Sequence, residues 1–108
     1  MAFPVSASLL DAIVLAIVSR APTYGYRITQ DVRQVMDISE STLYPVLRRL
    51  LKDGCLTTHD QAVDGRMRRY YAISPAGHTR LQEALRDWAV FRDSIEQVFS
   101  EGYAHEQA

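Results

Sequence analysis

Apolar side chains recur at spacings of three and four residues in three stretches of the first half of the chain, which predicts three amphipathic helices. In the first stretch, residues 9–18, only Asp11 interrupts the apolar positions, so we expect this helix to be buried on most sides. Ser6 or Ser8 can cap it, and Pro22 ends it because a residue before proline leaves the helical conformation. A turn then leads into a second helix, whose inward-facing side chains are expected to be Tyr26, Ile28, Val32, Val35 and Met36.

The third stretch, residues 39–54, carries the clearest helical pattern. Ser39 or Ser41 can cap its start, and Lys52 followed by Gly54 is typical of a helix C-terminus. The apolar stripe of this helix comprises Leu43, Val46, Leu47, Leu50 and Leu51. Its opposite face carries hydrogen-bonding and basic groups, namely Glu40, Thr42, Tyr44, Arg48, Arg49 and Lys52. Such a face is either solvated or lies against DNA, and the helix alone is compatible with both.

After this helix the apolar period changes to two, which predicts a two-stranded hairpin. Its strands cover residues 55–59 and 67–73 and flank a polar tip that contains the turn pair Asp64-Gly65. The returning strand begins with three arginines in four positions, Arg66, Arg68 and Arg69. Tyr71 falls on the strand face that is expected to meet the core, and we assign it no function.

Ser74 and Pro75 begin a last helix, with serine as the cap and proline at the first helical position. Its apolar positions are Leu81, Ala84, Leu85, Trp88, Phe91, Ile95, Val98 and Phe99. Ending near Ser100, this helix would be roughly 39 Å long at a rise of about 1.5 Å per residue, which is too long for so small a domain to cover. We therefore expect a partner surface to bury its apolar face, and a frayed end after Gly102.

The composition fits one small domain, since 108 residues that are 47% hydrophobic supply a modest core. The longest apolar run, residues 12–18, is far too short for a membrane span, and the first ten residues lack the basic segment of a signal peptide. A single cysteine, Cys55, excludes an internal disulfide and is typical of a reducing compartment. We therefore expect a cytoplasmic protein with no membrane partner.

The charge is distributed unevenly although the net charge is only −1. Residues 48–80 hold seven lysines and arginines against three acidic residues, whereas residues 81–108 hold two against six. A basic middle followed by an acidic end suits a molecule that turns one part toward phosphates and the other away from them.

No residue pattern points to catalysis, to a metal or to a cofactor. The three histidines lack metal-ligand spacing, Cys55 has no partner nearby in the sequence, and there is no glycine-rich phosphate loop. Asp87 and Asp93 lie six residues apart and so do not share a helical face well. We therefore expect neither an enzyme nor a bound cofactor.

Three helices, a hairpin and a further helix describe a winged helix-turn-helix, a mainly α fold with a small β-hairpin and here a long C-terminal dimerisation helix. The chain resembles the PadR-like family of transcriptional regulators in three motifs, TYGYRI at 23–28, STLYPVLRRLLKDGCL at 41–56 and GRMRRYYAISPAGHTRL at 65–81. Its single last helix resembles the short-chain subgroup of that family. Residues 1–74 would form the DNA-binding domain, and residues 75–108 the dimerisation helix and tail.

The resemblance implies a sequence-specific DNA-binding regulator that acts as a homodimer on a palindromic operator, and we expect a repressor. It makes residues 39–54 the recognition helix and the hairpin arginines phosphate or minor-groove contacts. The expected DNA-binding residues are Ser39, Glu40, Ser41, Thr42, Tyr44, Arg48, Arg66, Arg68 and Arg69. Ser41 stands where the family usually has glycine, and Met67 where proline is common, which leaves the operator sequence open. For one of the two arginines Arg48 and Arg49, an ion pair with Asp53 is the alternative to a phosphate contact.

We expect the last helix of each protomer to pack against the first and last helices of the other. The expected interface residues are Leu9, Leu10, Ile13, Ile17, Leu81, Leu85, Trp88, Phe91, Ile95, Val98 and Phe99. Trp88 has two interpretations: packing in the dimer, or lining a cavity in which a flat aromatic effector stacks. Some members of the family respond to phenolic or planar aromatic molecules, so the resemblance adds weight to the second interpretation, with release of DNA as its effect, while packing in the dimer stays the first.

Two other classes of function stay open at this point. One is a winged-helix protein–protein module without DNA binding, against which the arginine cluster counts. The other is a small enzyme or metal-binding domain, against which the lack of a convergent acid–base or ligand set counts.

Overall fold

Four helices and a three-stranded antiparallel sheet make up the computed structural model, which describes residues 6–107 and, for residues 104–107, only the helical backbone. The elements are α1 (Ala7–Arg20), β1 (Thr23–Tyr24), α2 (Gly25–Val32), α3 (Glu40–Lys52), β2 (Leu56–Val63), β3 (Arg66–Ile73) and α4 (Pro75–Gln107). The predicted fold class, mainly α with a small β-hairpin and a long last helix, is confirmed. The proposed domain bounds at residues 1 and 108 lie outside the described residues.

Serine hydroxyls cap three of the helices. The Oγ atom of Ser6 accepts the Leu9 N–H at 3.1 Å, and that of Ser39 accepts the Thr42 N–H at 3.3 Å. The structure therefore selects Ser6 over Ser8 and Ser39 over Ser41 as caps. The predicted Ser74 cap of α4 is confirmed, and each of these hydroxyls satisfies a first-turn donor that has no partner within its helix.

The core lies where the apolar faces of α1, α2 and α3 meet the sheet and the start of α4. Its largest fully buried side chains are Leu15, Ile28, Leu43, Leu47 and Leu50. Two residues assigned to the dimer interface belong to this core instead, because Ile17 and Leu81 are only 7% and 8% exposed. The sequence placed both on apolar faces but did not show which surface would cover them.

The sheet has the strand order β1-β3-β2, and its hairpin is longer than predicted. Pairing runs from Leu56 opposite Ile73 to Val63 opposite Arg66, so the residues predicted to form a polar loop continue the two strands. Asp64 and Gly65 alone make the turn, with φ of 52° and 77°. Because such a two-residue left-handed turn matches the twist of paired strands, the strands extend up to it despite their polar composition.

Three further boundaries differ from the predictions. The segment predicted to be only a turn contains β1, whose two residues pair with Tyr70 and Tyr71 of β3. Helix α2 ends at Val32, before Val35, and both Tyr26 and Val35, at 59% and 68% exposed, do not face inward as predicted. Helix α4 continues through Gln107, so residues 103–107 of the segment predicted to be frayed are helical.

Gly77 allows the first turn of α4 to pack directly on the root of the hairpin. A Cβ atom at this position would overlap the Cys55 carbonyl oxygen and lie 2.7 Å from Cγ1 of Ile73. The same Cys55 carbonyl accepts the Ser74 N–H at 3.0 Å, which ties the start of α4 to the residue that precedes β2. Neither neighbour is a flexible side-chain end, so a larger residue would force backbone to move.

We expect Gly77→Ala to lower the free energy of unfolding by about 2 kcal/mol, because overpacking a tight contact outweighs the gain in helix propensity. Gly102→Ala is the matched control, since a Cβ there meets nothing within 4 Å and alanine favours the helix. Urea denaturation of both variants at one protein concentration measures the difference. A stabilised Gly77→Ala variant would contradict the proposed close contact.

Candidate nucleic-acid interface

The first turn of α3 presents a cluster of hydroxyl groups to solvent. Ser39 Oγ lies 2.9 Å from Ser41 Oγ and 3.1 Å from Thr42 Oγ1. Since Ser39 also caps the helix, its role is partly structural, and Ser41 and Thr42 carry the outward-facing donors and acceptors. Glu40 adds a carboxylate in the first turn, where the helix dipole favours negative charge.

Burial of one face of α3 determines which side chains point outward. Leu43, Val46, Leu47 and Leu50 are at most 5% exposed, so the residues between them face away from the core. Tyr44 is 51% exposed. All nine residues expected to bind DNA are in fact exposed: Ser39, Glu40, Ser41, Thr42, Tyr44, Arg48, Arg66, Arg68 and Arg69.

The adjacent arginines of α3 have different surroundings. Arg49 donates a hydrogen bond to the Asp11 carboxylate of α1, whereas Arg48 makes no ion pair with any of the described residues. The expected alternative, pairing with Asp53, is wrong for both, because Asp53 accepts from Arg80 of α4 at 3.1 Å. That hydrogen bond raises the pKa of Arg80. Arg48 is therefore the arginine of α3 that remains available to a ligand.

The arginines of β3 do not form a single patch, because successive strand residues point to opposite faces of the sheet. The guanidinium carbon of Arg68 lies 4.5 Å from the centre of the Tyr24 ring, a cation–π arrangement. Arg69, on the other face, is 4.0 Å from the Asp60 carboxylate, with both side chains about two-thirds exposed. Such an exposed, long ion pair is weak, so Arg69 is free to exchange partners.

An aromatic row supports the Arg68 side of the sheet. The rings of Tyr24 and Tyr70 meet edge to face at 5.6 Å, and the His59 ring stacks on Tyr70 at the same distance. None of these three residues was predicted from the sequence to have a role. The signal was present in the strand alternation, because pairing of His59 with Tyr70 and of Tyr24 with Tyr70 places the three on one face.

A polar notch lies between α3 and the hairpin. We use this name for the depression of about 460 Å³ lined by Tyr24, Gly25, Tyr26, Tyr44, Arg68, Arg69 and Tyr71. Tyr71 is buried as expected, but it also lines the notch, and burial raises the pKa of its hydroxyl. The notch brings together α2, α3 and β3, whose proximity the sequence did not predict.

An apolar groove lies on another part of the molecule, between α1 and α4. Its volume is about 400 Å³, and its lining includes Leu9, Ile13, Leu85 and Trp88. Trp88 also borders a second depression of about 310 Å³ together with Phe91, whose ring centre is 6.4 Å away. The indole is 40% exposed, so one aromatic ring is accessible from two shallow apolar surfaces.

Most of the remaining expected interface residues leave apolar surface uncovered. Between 53% and 68% of each of Leu85, Phe91, Val98 and Phe99 is exposed. Ile95 and the α1 residues Leu9, Leu10 and Ile13 are half-buried. Within residues 6–107 no helix has the length and apolar composition to cross a bilayer, and among the side chains of residues 6–103 no cluster of three potential ligands could hold a metal ion.

The order of the elements, with three helices followed by a hairpin and a further helix, defines a winged helix-turn-helix protein. Residues 14–83 match the transcriptional regulator PadR-like family, and the chain belongs to that family. The resemblance found in the sequence motifs is thereby confirmed. Members of the family are transcriptional regulators that bind DNA and typically dimerise.

Individual relatives agree with this assignment. The chain is 44% identical over 64 residues to the transcriptional regulator Rv3488 of Mycobacterium tuberculosis, a match that covers 58% of this chain and 60% of that protein. The crystal structure of smu.1704 from Streptococcus mutans is 40% identical, with a TM-score of 0.88 over 93% of this chain and 94% of that one. A PadR-like transcriptional regulator from Bacillus cereus is 26% identical, with a TM-score of 0.79 over 84% and 91% of the two chains.

Proposed function

We propose that this protein is a cytoplasmic repressor that binds a palindromic operator as a homodimer and is released from it by a flat aromatic effector. The observation that best supports DNA recognition is the notch, because it places the exposed face of α3 and the hairpin arginines side by side. Fluorescence anisotropy with a duplex from the region upstream of the gene tests the proposal directly. A protein–protein module without DNA binding would leave the anisotropy unchanged at low salt.

In this proposal the first turn of α3 reads base edges in the major groove. Ser41 and Thr42 offer outward hydroxyls that can donate or accept, and the Glu40 carboxylate can accept from cytosine N4. Ser39 fixes the geometry of this turn through its cap. The dimer represses by occupying its site, because a protein bound to both half-sites blocks other proteins from the same stretch of DNA.

The phosphate contacts come from arginines on both sides of the notch. Arg48 on α3 and Arg66, Arg68 and Arg69 on the hairpin are exposed, and only Arg69 has an ion-pair partner among the described residues. Each guanidinium that neutralises a phosphate releases counterions from DNA, so its contribution is visible in the salt dependence of binding.

Arg48→Ala should weaken binding to every duplex sequence and reduce the slope of log K against log salt by about one, since one phosphate contact is lost. Arg49→Ala is the matched control, because that neighbouring guanidinium is already paired with Asp11. We expect the control to keep the wild-type slope. Anisotropy titrations over a range of salt concentrations measure both, and equal slopes for the two variants would remove Arg48 from the interface.

Dimerisation is supported by the apolar row along α4. This helix has 33 residues, about 50 Å at a helical rise, and the molecule is 65 Å along its longest axis. Exposed apolar side chains recur at spacings of three and seven along it at Leu85, Trp88, Phe91 and Val98, and Phe99 follows directly. A second copy that covers this row removes it from water and sets the distance between the two recognition helices, which a palindromic site needs at about one DNA turn, ~34 Å.

Phe91→Glu should convert the protein to a monomer, because it places a charge in the centre of the row without disturbing the protomer core. Val90→Glu is the control, since Val90 is similarly exposed but lies on the opposite, polar side of α4. Sedimentation velocity at micromolar concentration distinguishes the two. A dimeric Phe91→Glu protein would show that the interface lies elsewhere.

The groove beside Trp88 is the proposed effector site. Its lining is mainly apolar, and a second α4 packed along the row would close its open side. A ligand stacked there changes the packing of the two protomers and therefore the spacing of the recognition helices. The ligand lowers the affinity for DNA to the extent that it binds more tightly to a dimer with the wrong helix spacing than to the dimer that fits the operator.

Flat aromatic compounds, such as a phenol carboxylate and a planar tricyclic amine, should quench the fluorescence of Trp88, the only tryptophan of the chain. Compounds that quench it should also lower the affinity for duplex DNA, and Trp88→Ala should abolish the effect on DNA binding. Parallel fluorescence and anisotropy titrations provide the comparison. If compounds quench the fluorescence but leave DNA binding unchanged, the role of Trp88 is limited to packing in the dimer.

A further inference from the structure

We propose that Tyr24 is a positioning residue for DNA binding, whose ring holds the Arg68 guanidinium in place with its hydrogen-bond donors free. This inference rests on the proposed DNA binding and deepens it, because it gives a role to a residue outside both α3 and the hairpin. Its basis is the cation–π arrangement, in which the guanidinium carbon of Arg68 lies 4.5 Å from the centre of the Tyr24 ring.

The outer part of the hairpin projects beyond the three-stranded part of the sheet. Strand β1 pairs with β3 at Tyr70 and Tyr71, so among the described residues the section 60–69 has no third strand beside it. All residues of this section except Val63 are exposed. Since an isolated two-stranded hairpin is only marginally stable in water, a side-chain contact from the rest of the protein restricts the direction of this section.

Tyr24 is a fixed point from which Arg68 can be held. Its backbone pairs with Tyr70 of β3 and is the N-cap of α2, so it belongs to the sheet and to the start of the next helix. Its ring meets the Tyr70 ring edge to face at 5.6 Å, and both side chains are half-buried. Because Arg68 lies two residues from Tyr70 on the same strand face, its long side chain reaches Tyr24 diagonally across the strands.

A stacked guanidinium keeps its capacity to bind DNA. The five N–H donors of arginine lie in the plane of the group, whereas the Tyr24 ring covers its face. Arg68 can therefore stay over the ring while it donates to phosphate or base-edge oxygens. Arg69 differs, since the Asp60 carboxylate lies 4.0 Å from its Nε atom and competes with DNA for its donors. The ring thus orders one cation of the hairpin before DNA arrives, which lowers the conformational entropy lost on binding.

A double-mutant cycle tests this role, with anisotropy titrations of the full chain against a fluorescent mixed-sequence duplex. We expect Tyr24→Leu to weaken binding roughly threefold, the size of an exposed cation–π contact, without changing the salt slope, because no charge is lost. Arg68→Ala should weaken binding further and lower the salt slope by about one. The double variant should bind as Arg68→Ala alone, because the ring acts only through that guanidinium.

Two single variants separate positioning from packing. Tyr24→Phe keeps the ring and should bind as the wild type. His59→Leu is the matched control, because it removes a ring that stacks on Tyr70 from β2, the strand on the side away from Tyr24, and it should also leave binding unchanged. Circular dichroism melts establish that the variants fold.

Three results would overturn the inference alone. They are losses that add up in the double variant, a Tyr24→Phe protein as weak as Tyr24→Leu, and a His59→Leu protein equally weakened. A wild-type protein that binds neither this duplex nor an upstream one would overturn the DNA-binding proposal itself, and this inference with it.

A measurement on the wild type makes the test independent of how the variants fold. The ring current of Tyr24 should move the side-chain proton signals of Arg68 upfield in the NMR spectrum of the free protein. We expect this shift to persist at saturation with the duplex. Loss of the shift on binding would show that Arg68 leaves the ring to reach DNA, which would overturn the positioning role.

Discussion

The arrangement of the candidate interface depends on the burial of one face of α3. Leu43, Leu47 and Leu50 lie almost completely inside the protomer, in contact with the other helices and the sheet. A helix of 3.6 residues per turn that buries these positions must turn Thr42 and Arg48 to the outside. The polar contact between Arg49 and Asp11 lies at the rim of this burial and connects α3 to α1. Hydrophobic packing thus determines the direction in which the polar groups face, although it contributes nothing to what they bind.

The pleat of the sheet imposes a second constraint on the hairpin. Arg66, Arg68 and Arg69 are close in sequence, but strand alternation separates Arg69 from the other two. One face supports Arg68 with an aromatic ring, and the other offers Arg69 a distant carboxylate. The hairpin therefore presents cations on both faces, with one guanidinium held in place and the other mobile between partners. This division is a property of the backbone and would persist if arginine were replaced by lysine.

Much of the fold could be predicted because its signals are local. The apolar period identified every helix, cap chemistry located the starts of α1, α3 and α4, and the Asp64-Gly65 pair located the hairpin turn. Strand β1 could not be found in this way, since two residues carry no period. The strands also extended through polar residues, because turn geometry and backbone pairing outweigh side-chain polarity there.

The tertiary contacts could not be predicted, because apolar or charged character does not identify a partner. Ile17 and Leu81 fit the pattern of an exposed interface, yet the protomer itself covers them. The partner of Arg49 lies 38 positions away in sequence, beyond any local pattern. The notch required three separate elements to meet, and Tyr71 contributes to it while still serving the core. For the candidate site, the sequence could indicate exposed polar positions but not their grouping.

The tight contact at Gly77 has a consequence for how such a regulator can change. It joins α4 to both ends of the hairpin, since Cys55 precedes β2 and Ile73 ends β3. The absence of a side chain at Gly77 therefore sets how closely α4 packs against the base of the hairpin. A larger residue at position 77 would shift the hairpin relative to α4 without replacing any exposed arginine or hydroxyl residue. Selection acting on this position could alter the preferred architecture of a DNA target without changing any group that touches it.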